Sequence, residues 1–114
     1  MGKRRVKRGL IVAKIKPGSE DKVAEIFRRS DEGELPKLAG VIHRSLFVLD
    51  DVYVHYVETD EDFEMAVDAV RDNELFREIS RELDAYITPY DPETWRSPKD
   101  ATAREFYTWD ADSD

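Results

Sequence analysis

The sequence predicts an α+β fold in which helices cover one face of a four-stranded antiparallel sheet. Three observations favour it. The chain has 114 residues, which fits a single domain. Its strand-like and helix-like segments alternate in a fixed order, and two of the strands are adjacent and joined by a hairpin signal. Hydrophobic residues make up 40% and charged residues 39% of the chain, a composition typical of a globular domain with a heavily charged surface.

The first strand and helix follow from the apolar pattern and a capping signal. Residues 6–16 alternate with apolar side chains on both faces, as in a central strand. Ser19 is a helix N-cap, and acidic residues follow it in the first turn, where the helix dipole favours negative charge. The helix is expected to end before Gly33, which places Ser30 and Asp31 near its carboxyl end.

The later segments complete the order of elements. Residues 41–49 and 52–58 are rich in β-branched and aromatic side chains, which indicates two strands joined at Asp50-Asp51. Residues 59–62 resemble a capping box that opens a pair of helices, and residues 104–109 alternate as a last strand. The order of strand, helix, strand, strand, helix pair and strand is that of ferredoxin-like folds.

One face of this predicted sheet has no cover from the chain's own helices. Its apolar side chains are too many to remain exposed to water. Packing one sheet against the sheet of a second copy covers them at least cost. We therefore expect a symmetric homodimer that buries the face formed by His43, Ser45, Phe47, Val54 and Tyr56.

Charge and composition exclude several classes of partner. The net charge of −8 repels phosphate backbones, so nucleic acid is not expected as a partner. The start lacks a signal-peptide pattern, and no apolar run approaches the length of a membrane span. With no cysteine, disulfides and thiolate metal sites are excluded. We expect one cytoplasmic domain over residues 1–114, with flexible ends at residues 1–5, which are basic, and 110–114, which are acidic.

The hairpin brings two polar side chains together. If Asp50-Asp51 is a two-residue turn, Arg44 and His55 lie on the same face of the sheet, because alternate residues of a strand share a side. They are then diagonal neighbours, roughly 7–8 Å apart at the backbone. His43 points to the opposite face, so the two histidines cannot share a metal ion, and no metal site is predicted.

A guanidinium and an imidazole on one half-buried face can stabilise an oxyanion and move a proton. Arg44 requires an acidic partner there, and Asp31 at the end of the first helix is the nearest candidate. The alternative from the residues alone is that Arg44 and Asp31 form a structural ion pair and that His55 is a packing residue.

Eight short segments, in their order and spacing together, carry a family resemblance. They are Asp31-Glu32-Gly33-Glu34-Leu35-Pro36, Gly40-Val41, Arg44, Leu46-Phe47, Asp51-Val52-Tyr53-Val54-His55, Leu75-Phe76, Tyr86-Ile87-Thr88-Pro89-Tyr90 and Phe106-Tyr107-Thr108-Trp109. Over residues 8–110 the chain resembles the tetracenomycin-type aromatic polyketide synthesis cyclases. The resemblance implies a homodimeric α+β barrel, with a cleft between the helices and the sheet of each subunit.

The resemblance also implies an activity and its residues. Members direct intramolecular aldol condensation and dehydration of a partly cyclised poly-β-ketone, without metal or organic cofactor. Asp31, Arg44 and His55 fall on the family's polar cleft positions. Ser30 stands where the best-known member carries histidine, so that histidine's role does not carry over. The expected substrate-binding residues around the cleft are Phe27, Ser30, Tyr53, Phe63 and Trp109.

The expected mechanism uses the acidity of the substrate's own methylene groups. Arg44 holds the enolate oxygen, Asp31 orients Arg44, and His55 shuttles a proton to the attacked carbonyl. The expected partners are a small polyketide intermediate, a second copy of the chain and, transiently, components of a polyketide synthase. Two alternatives share the architecture: a cofactor-free anthrone-type monooxygenase, which consumes oxygen, and a non-catalytic polyketide-binding module.

Overall fold

The structure is a computed structural model that describes residues 7–60, 63–93 and 101–111, with only the backbone at residues 63 and 64. It contains strands and helices in alternation. The strands are β1 (Lys7–Ile15), β2 (Val41–Leu49), β3 (Val52–Thr59) and β4 (Ile87–Pro89). The helices are α1 (Glu20–Asp31), α2 (Leu35–Ala39), α3 (Phe63–Val70) and α4 (Glu74–Leu83).

The four strands form one antiparallel sheet in the order β2-β3-β1-β4. β1 lies between β3 and β4, and every second residue of β1 from Gly9 to Ile15 is buried. This agrees with its prediction as a central strand, because a strand paired on both edges and covered by helices buries one face completely. The predicted ferredoxin-like α+β class is confirmed.

The prediction of a last strand at residues 104–109 is wrong. The fourth strand is Ile87–Pro89, which already occupies the edge of β1 at residues 13–15. Among the described residues beyond it, the pairing with the sheet is an isolated bridge between Thr102 and Ile11. From there the segment is held by side chains in place of a strand ladder, since the Arg8 guanidinium donates to Glu105 at 2.9 Å and to Thr108 at 2.8 Å.

Helix α1 forms as the apolar stripe predicts, with Val23, Ile26 and Phe27 buried against the sheet. Ser19 occupies the N-cap position, but only its backbone carbonyl takes part, accepting the Val23 N–H at 3.0 Å. The helix ends at Asp31, before Gly33, as predicted. Its carboxyl end therefore lies over the β2 side of the sheet, which positions the site described below.

The β2–β3 hairpin has the predicted two-residue turn at Asp50-Asp51. Asp50 adopts a left-handed conformation with φ of 55°, which suits the tight turn of a hairpin and which aspartate tolerates. Arg44 pairs with Val57, so that Arg44 and His55 lie on the same face, as the register predicts.

The two faces of the sheet differ in cover. The helix-covered face holds a core cluster of Ala13, Ile15, Val23, Phe27 and Tyr53. On the opposite face, Leu10, Val12, Val54 and Tyr56 are only half-buried, and Phe47 is 57% exposed. We call this surface the open sheet face, formed by His43, Ser45, Phe47, Val54 and Tyr56 with their neighbours Leu10 and Val12. Its burial in a homodimer stays a prediction.

Among the residues that the structure describes, no helix is long and apolar enough to cross a membrane. The predicted flexible segment 1–5 lies outside the described residues, as do residues 112–114 of the acidic tail.

Candidate active site

Three side chains from three elements meet at the carboxyl end of α1. Arg44 lies on β2, Asp31 is the last residue of α1, and His55 lies on β3. Arg44 Nε donates to the two Asp31 carboxylate oxygens at 3.2 and 3.1 Å, and Nη2 donates to Oδ1 at 2.9 Å. Arg44 Nη1 lies 2.9 Å from His55 Nε2. The structure thus brings together all three residues that the sequence singled out as catalytic.

Arg44 is held by packing as well as by hydrogen bonds. Its side chain is 15% exposed, and its guanidinium carbon lies 4.8 Å from the centre of the Phe27 ring. That aromatic face attracts the cation and fixes the guanidinium plane. The Phe27 ring in turn meets the His55 ring edge-on at 5.1 Å. The arginine is therefore preorganised before any ligand arrives.

The protonation of His55 follows from its partner. A guanidinium can only donate hydrogen bonds, so His55 Nε2 accepts from Arg44 and the ring proton lies on Nδ1. Burial, and secondarily the Arg44 charge, lower the pKa of His55 to about 3. His55 is neutral at physiological pH, and the lone pair of Nε2 is occupied by Arg44.

Arg44 retains donors for a ligand. A guanidinium has five N–H groups, and the bonds above use three of them, one each on Nε, Nη1 and Nη2. Two N–H groups, one on each terminal nitrogen, remain without a described partner within the described residues. Donors of a planar cation suit the oxygen of an enolate or of a β-diketone.

Arg44 and Asp31 border an open cleft of about 360 Å³ between α1 and β2, whereas His55, bound to Arg44, is buried and does not line it. This volume lies within the range of small-molecule sites. The cleft has an apolar floor and a charged rim, and its lining residues are Ala24, Phe27, Arg28, Asp31, Glu32, Arg44 and Leu46. An anionic oxygen bound here would meet a fixed cation beside an aromatic ring.

Among the five residues predicted to bind substrate, Phe27 lines this cleft. Tyr53 is 4% exposed and lies in the core behind His55, with the two rings 6.3 Å apart, so it does not line the cleft. The same burial raises the pKa of Tyr53 well above its usual range, more than the nearby Arg44 charge lowers it. Its phenol remains protonated.

Of the other three predicted substrate-binding residues, Ser30 and Trp109 do not line the cleft. Ser30 is half-buried near the carboxyl end of α1 and is not among the residues that line the cleft. Trp109 is 71% exposed, because the segment that carries it leaves the sheet edge after Thr102. The Phe63 side chain lies outside the described residues.

Sequence reasoning missed part of the lining. Ala24, Arg28, Glu32 and Leu46 border the cleft and were not predicted to do so. A signal for two of them was present, because Ala24 lies three residues before Phe27 and Arg28 three residues before Asp31, and residues at this spacing share a side of a helix. Leu46 follows from the same alternation that placed Arg44.

His43 lies on the open sheet face, as predicted, where its Nε2 is 2.9 Å from Ser45 Oγ and its ring meets Tyr56 edge-on at 6.1 Å. It is therefore separated from the cleft by the sheet. Among the described residues, no three histidine, aspartate or glutamate side chains cluster as a metal site would require.

Fold and cleft together define the class of protein: an α+β domain with a four-stranded sheet and a small-molecule cleft containing a fixed cation. Comparison with known proteins identifies the family within this class. The family model for polyketide synthesis cyclases matches residues 7–110. The chain belongs to this family.

Sequence identity to individual proteins supports the same family. The chain is 47% identical to the polyketide synthase protein CurG of Streptomyces cyaneus, over 90% of this chain and 96% of the relative. It is 36% identical to tetracenomycin F2 cyclase of Streptomyces glaucescens, over 91% and 94%. It is also 48% identical to an uncharacterised protein of Streptomyces coelicolor, over 89% and 92%.

A solved structure supports the same assignment. The structure of tetracenomycin F2 cyclase from Streptomyces glaucescens, described as a type II polyketide cyclase, matches with a TM-score of 0.84. The match covers 92% of this chain and 98% of the other, at 36% identity.

Proposed function

We propose that this protein directs an intramolecular aldol condensation and dehydration of a partly cyclised aromatic poly-β-ketone, without metal or organic cofactor. The observation that carries the proposal is the preorganised Arg44, bound by Asp31 and packed on Phe27, in the cleft of a polyketide synthesis cyclase. Such a group stabilises the negative oxygen that an aldol reaction creates.

The chemistry begins with a methylene between two carbonyl groups. Loss of its proton forms an enolate. The enolate oxygen accepts hydrogen bonds from the two remaining N–H groups of Arg44. Because the guanidinium is already fixed, little reorganisation accompanies the appearance of the charge. The apolar floor at Phe27 and Leu46 holds the aromatic part of the substrate, so that one substrate carbonyl lies close to the enolate carbon.

Asp31 and His55 are assigned as positioning residues for Arg44. Asp31 receives three hydrogen bonds from it, and His55 receives one through Nε2. The sequence predicted a proton shuttle at His55. Its occupied lone pair and lowered pKa favour positioning in place of proton transfer.

The reaction is balanced without a redox partner. The enolate carbon bonds to the second carbonyl carbon, the new alkoxide takes a proton, and the resulting hydroxyl leaves with a neighbouring hydrogen as water. No electron enters or leaves the substrate. The proposed absence of a cofactor therefore rests on the reaction type.

We propose further that the protein acts as a homodimer and meets components of a polyketide synthase transiently. The open sheet face, with the exposed Phe47, supports the homodimer. A poly-β-ketone is reactive, so direct delivery from the synthase would protect it. This is why we expect transient contact with synthase components.

The test is incubation of the purified protein with tetracenomycin F2 and with one other aromatic poly-β-ketone, followed by mass spectrometry and oxygen measurement. We expect a product lighter than its substrate by one water, with no oxygen consumed. Consumption of O2, with a product that has gained one oxygen atom and lost two hydrogen atoms, would indicate the monooxygenase. If the product has the same ring pattern in the presence and in the absence of the protein, the protein is a binding module. Either result contradicts the proposed cyclase.

A further inference from the structure

One ionisable side chain of the cleft has no role in the interactions described above. Asp31 is bound to Arg44, and Arg28 pairs with Glu25 on the same helix. Glu32 also lines the cleft, and within the described part of the chain its carboxylate makes no hydrogen bond or ion pair. Among the described residues that line the cleft, it is the remaining carboxylate with free lone pairs.

The position of Glu32 is unfavourable for a residue that serves stability alone. It is the C-cap of α1, where the helix dipole disfavours negative charge. Its backbone is fixed, since its N–H donates to the Arg28 carbonyl at 3.1 Å, while its side chain is exposed to the cleft. Local rules are broken in this way most often at functional sites.

The other candidates for a proton acceptor are occupied. Both Asp31 oxygens accept from Arg44, so protonating Asp31 would break the ion pair that holds the guanidinium. The Nε2 lone pair of His55 also accepts from Arg44. Neither group is available without loss of the oxyanion site that the reaction uses.

We propose that Glu32 is the general base that removes the methylene proton in the cyclisation. This inference rests on the proposed function and adds to it the residue that starts the reaction. A carboxylate is a weak base, but it suffices here because the flanking carbonyls make the methylene acidic and Arg44 stabilises the enolate.

The proton balance is closed within the cleft. The C–H bond of the methylene breaks, its proton goes to the Glu32 carboxylate, and its electron pair goes to the enolate oxygen at Arg44. After the carbon–carbon bond forms, the neutral Glu32 returns the proton to the alkoxide. In the dehydration it removes the next proton as hydroxide leaves, and the two combine as water.

The experiment compares Glu32→Gln with Glu34→Gln, using single-turnover rates and equilibrium binding of tetracenomycin F2. Glu34 is a nearby exposed carboxylate that does not line the cleft, which makes it the matched control. We expect Glu32→Gln to lose roughly 10²-fold or more in rate with binding within a few-fold of the wild type. Glu34→Gln should keep the wild-type rate. Added formate should restore part of the rate of Glu32→Gln.

Each outcome decides the point. A Glu32→Gln protein with the wild-type rate would overturn the inference while leaving the cyclase intact. A rate loss matched by an equal loss of binding, without rescue by formate, would make Glu32 a binding residue and would also overturn it. If the wild-type protein itself cyclises neither this compound nor the second poly-β-ketone, the proposed function fails first.

Discussion

Arg44 joins three elements through one guanidinium, and the chemistry of its neighbours follows from it. It holds the Asp31 carboxylate at the end of α1, the His55 ring on β3 and the Phe27 ring beneath it. His55 is neutral because an adjacent cation and burial both oppose its protonation. This coupling has a measurable consequence for stability.

Stability should fall in acid because of His55. Its pKa is about 6.5 in an unfolded chain and about 3 in the folded protein, so between these values only the unfolded state takes up the proton. The contribution of neutral His55 is complete above pH 6.5 and is lost as pH falls, by about 1.4 kcal/mol per pH unit. Between pH 7.5 and pH 5 this amounts to about 2 kcal/mol.

Urea unfolding of the wild type and of His55→Gln at both pH values, at one protein concentration, measures this effect. The contributions of the other titrating groups to the change in unfolding free energy cancel when the two proteins are compared. The wild type should lose about 2 kcal/mol more than the variant on going to pH 5. Equal losses would mean that His55 is protonated in the folded protein.

At this scale the sequence predicted that the Arg44, Asp31 and His55 side chains lie together, because strand alternation, a short turn and the end of a helix follow local rules. It misplaced Trp109, which depends on where a terminal segment leaves the sheet. It also placed Tyr53 in the lining, whereas the ring lies deeper in the core. The depth of a side chain on a given face depends on the packing of the whole domain.

The β2–β3 hairpin is the element that sets the geometry of the site. Its two-residue turn fixes the register, and a slip of one residue would move Arg44 to the other face. The sequence predicted this element from the Asp50-Asp51 turn signal. It did not predict α2 (Leu35–Ala39), because five residues are too few to show a helical period.

The turn provides a test at the scale of the element. Asp50 has φ of 55°, a conformation that glycine adopts freely and a β-branched residue does not. We expect Asp50→Val to lower the free energy of unfolding by about 1–2 kcal/mol, with Asp50→Gly close to the wild type. Urea unfolding of the three proteins measures both. Equal stability of the two variants would contradict the left-handed turn.

For the whole molecule, the main feature is the open sheet face, whose apolar side chains remain partly exposed in a single chain. The fold class followed from the sequence, because helices and strands have different periods and their order allowed few topologies. The fourth strand was misplaced, because a three-residue strand at Ile87–Pro89 gives almost no alternation signal.

We expect a homodimer that buries the open sheet face. Phe47→Glu places a charge in that interface and should give monomers at micromolar concentration in sedimentation. Met65→Glu is the control, because Met65 on α3 is 58% exposed, against 57% for Phe47, and lies away from the sheet. It should remain dimeric. A wild-type protein that sediments as a monomer at micromolar concentration would contradict the predicted dimer.

The central claim is that Arg44 stabilises the enolate oxygen during cyclisation. It is tested most directly by single-turnover rates on one aromatic poly-β-ketone for the wild type, Arg44→Ala, Arg44→Lys, Asp31→Asn and His55→Ala, each checked for folding. We expect Arg44→Ala to lose roughly 10²–10³-fold, His55→Ala less, and Asp31→Asn an intermediate amount. Arg44→Lys keeps the charge without the planar fork and should recover only part of the loss. If Arg44→Ala keeps a near-normal rate and ring pattern, the arginine is structural and the proposed mechanism is wrong.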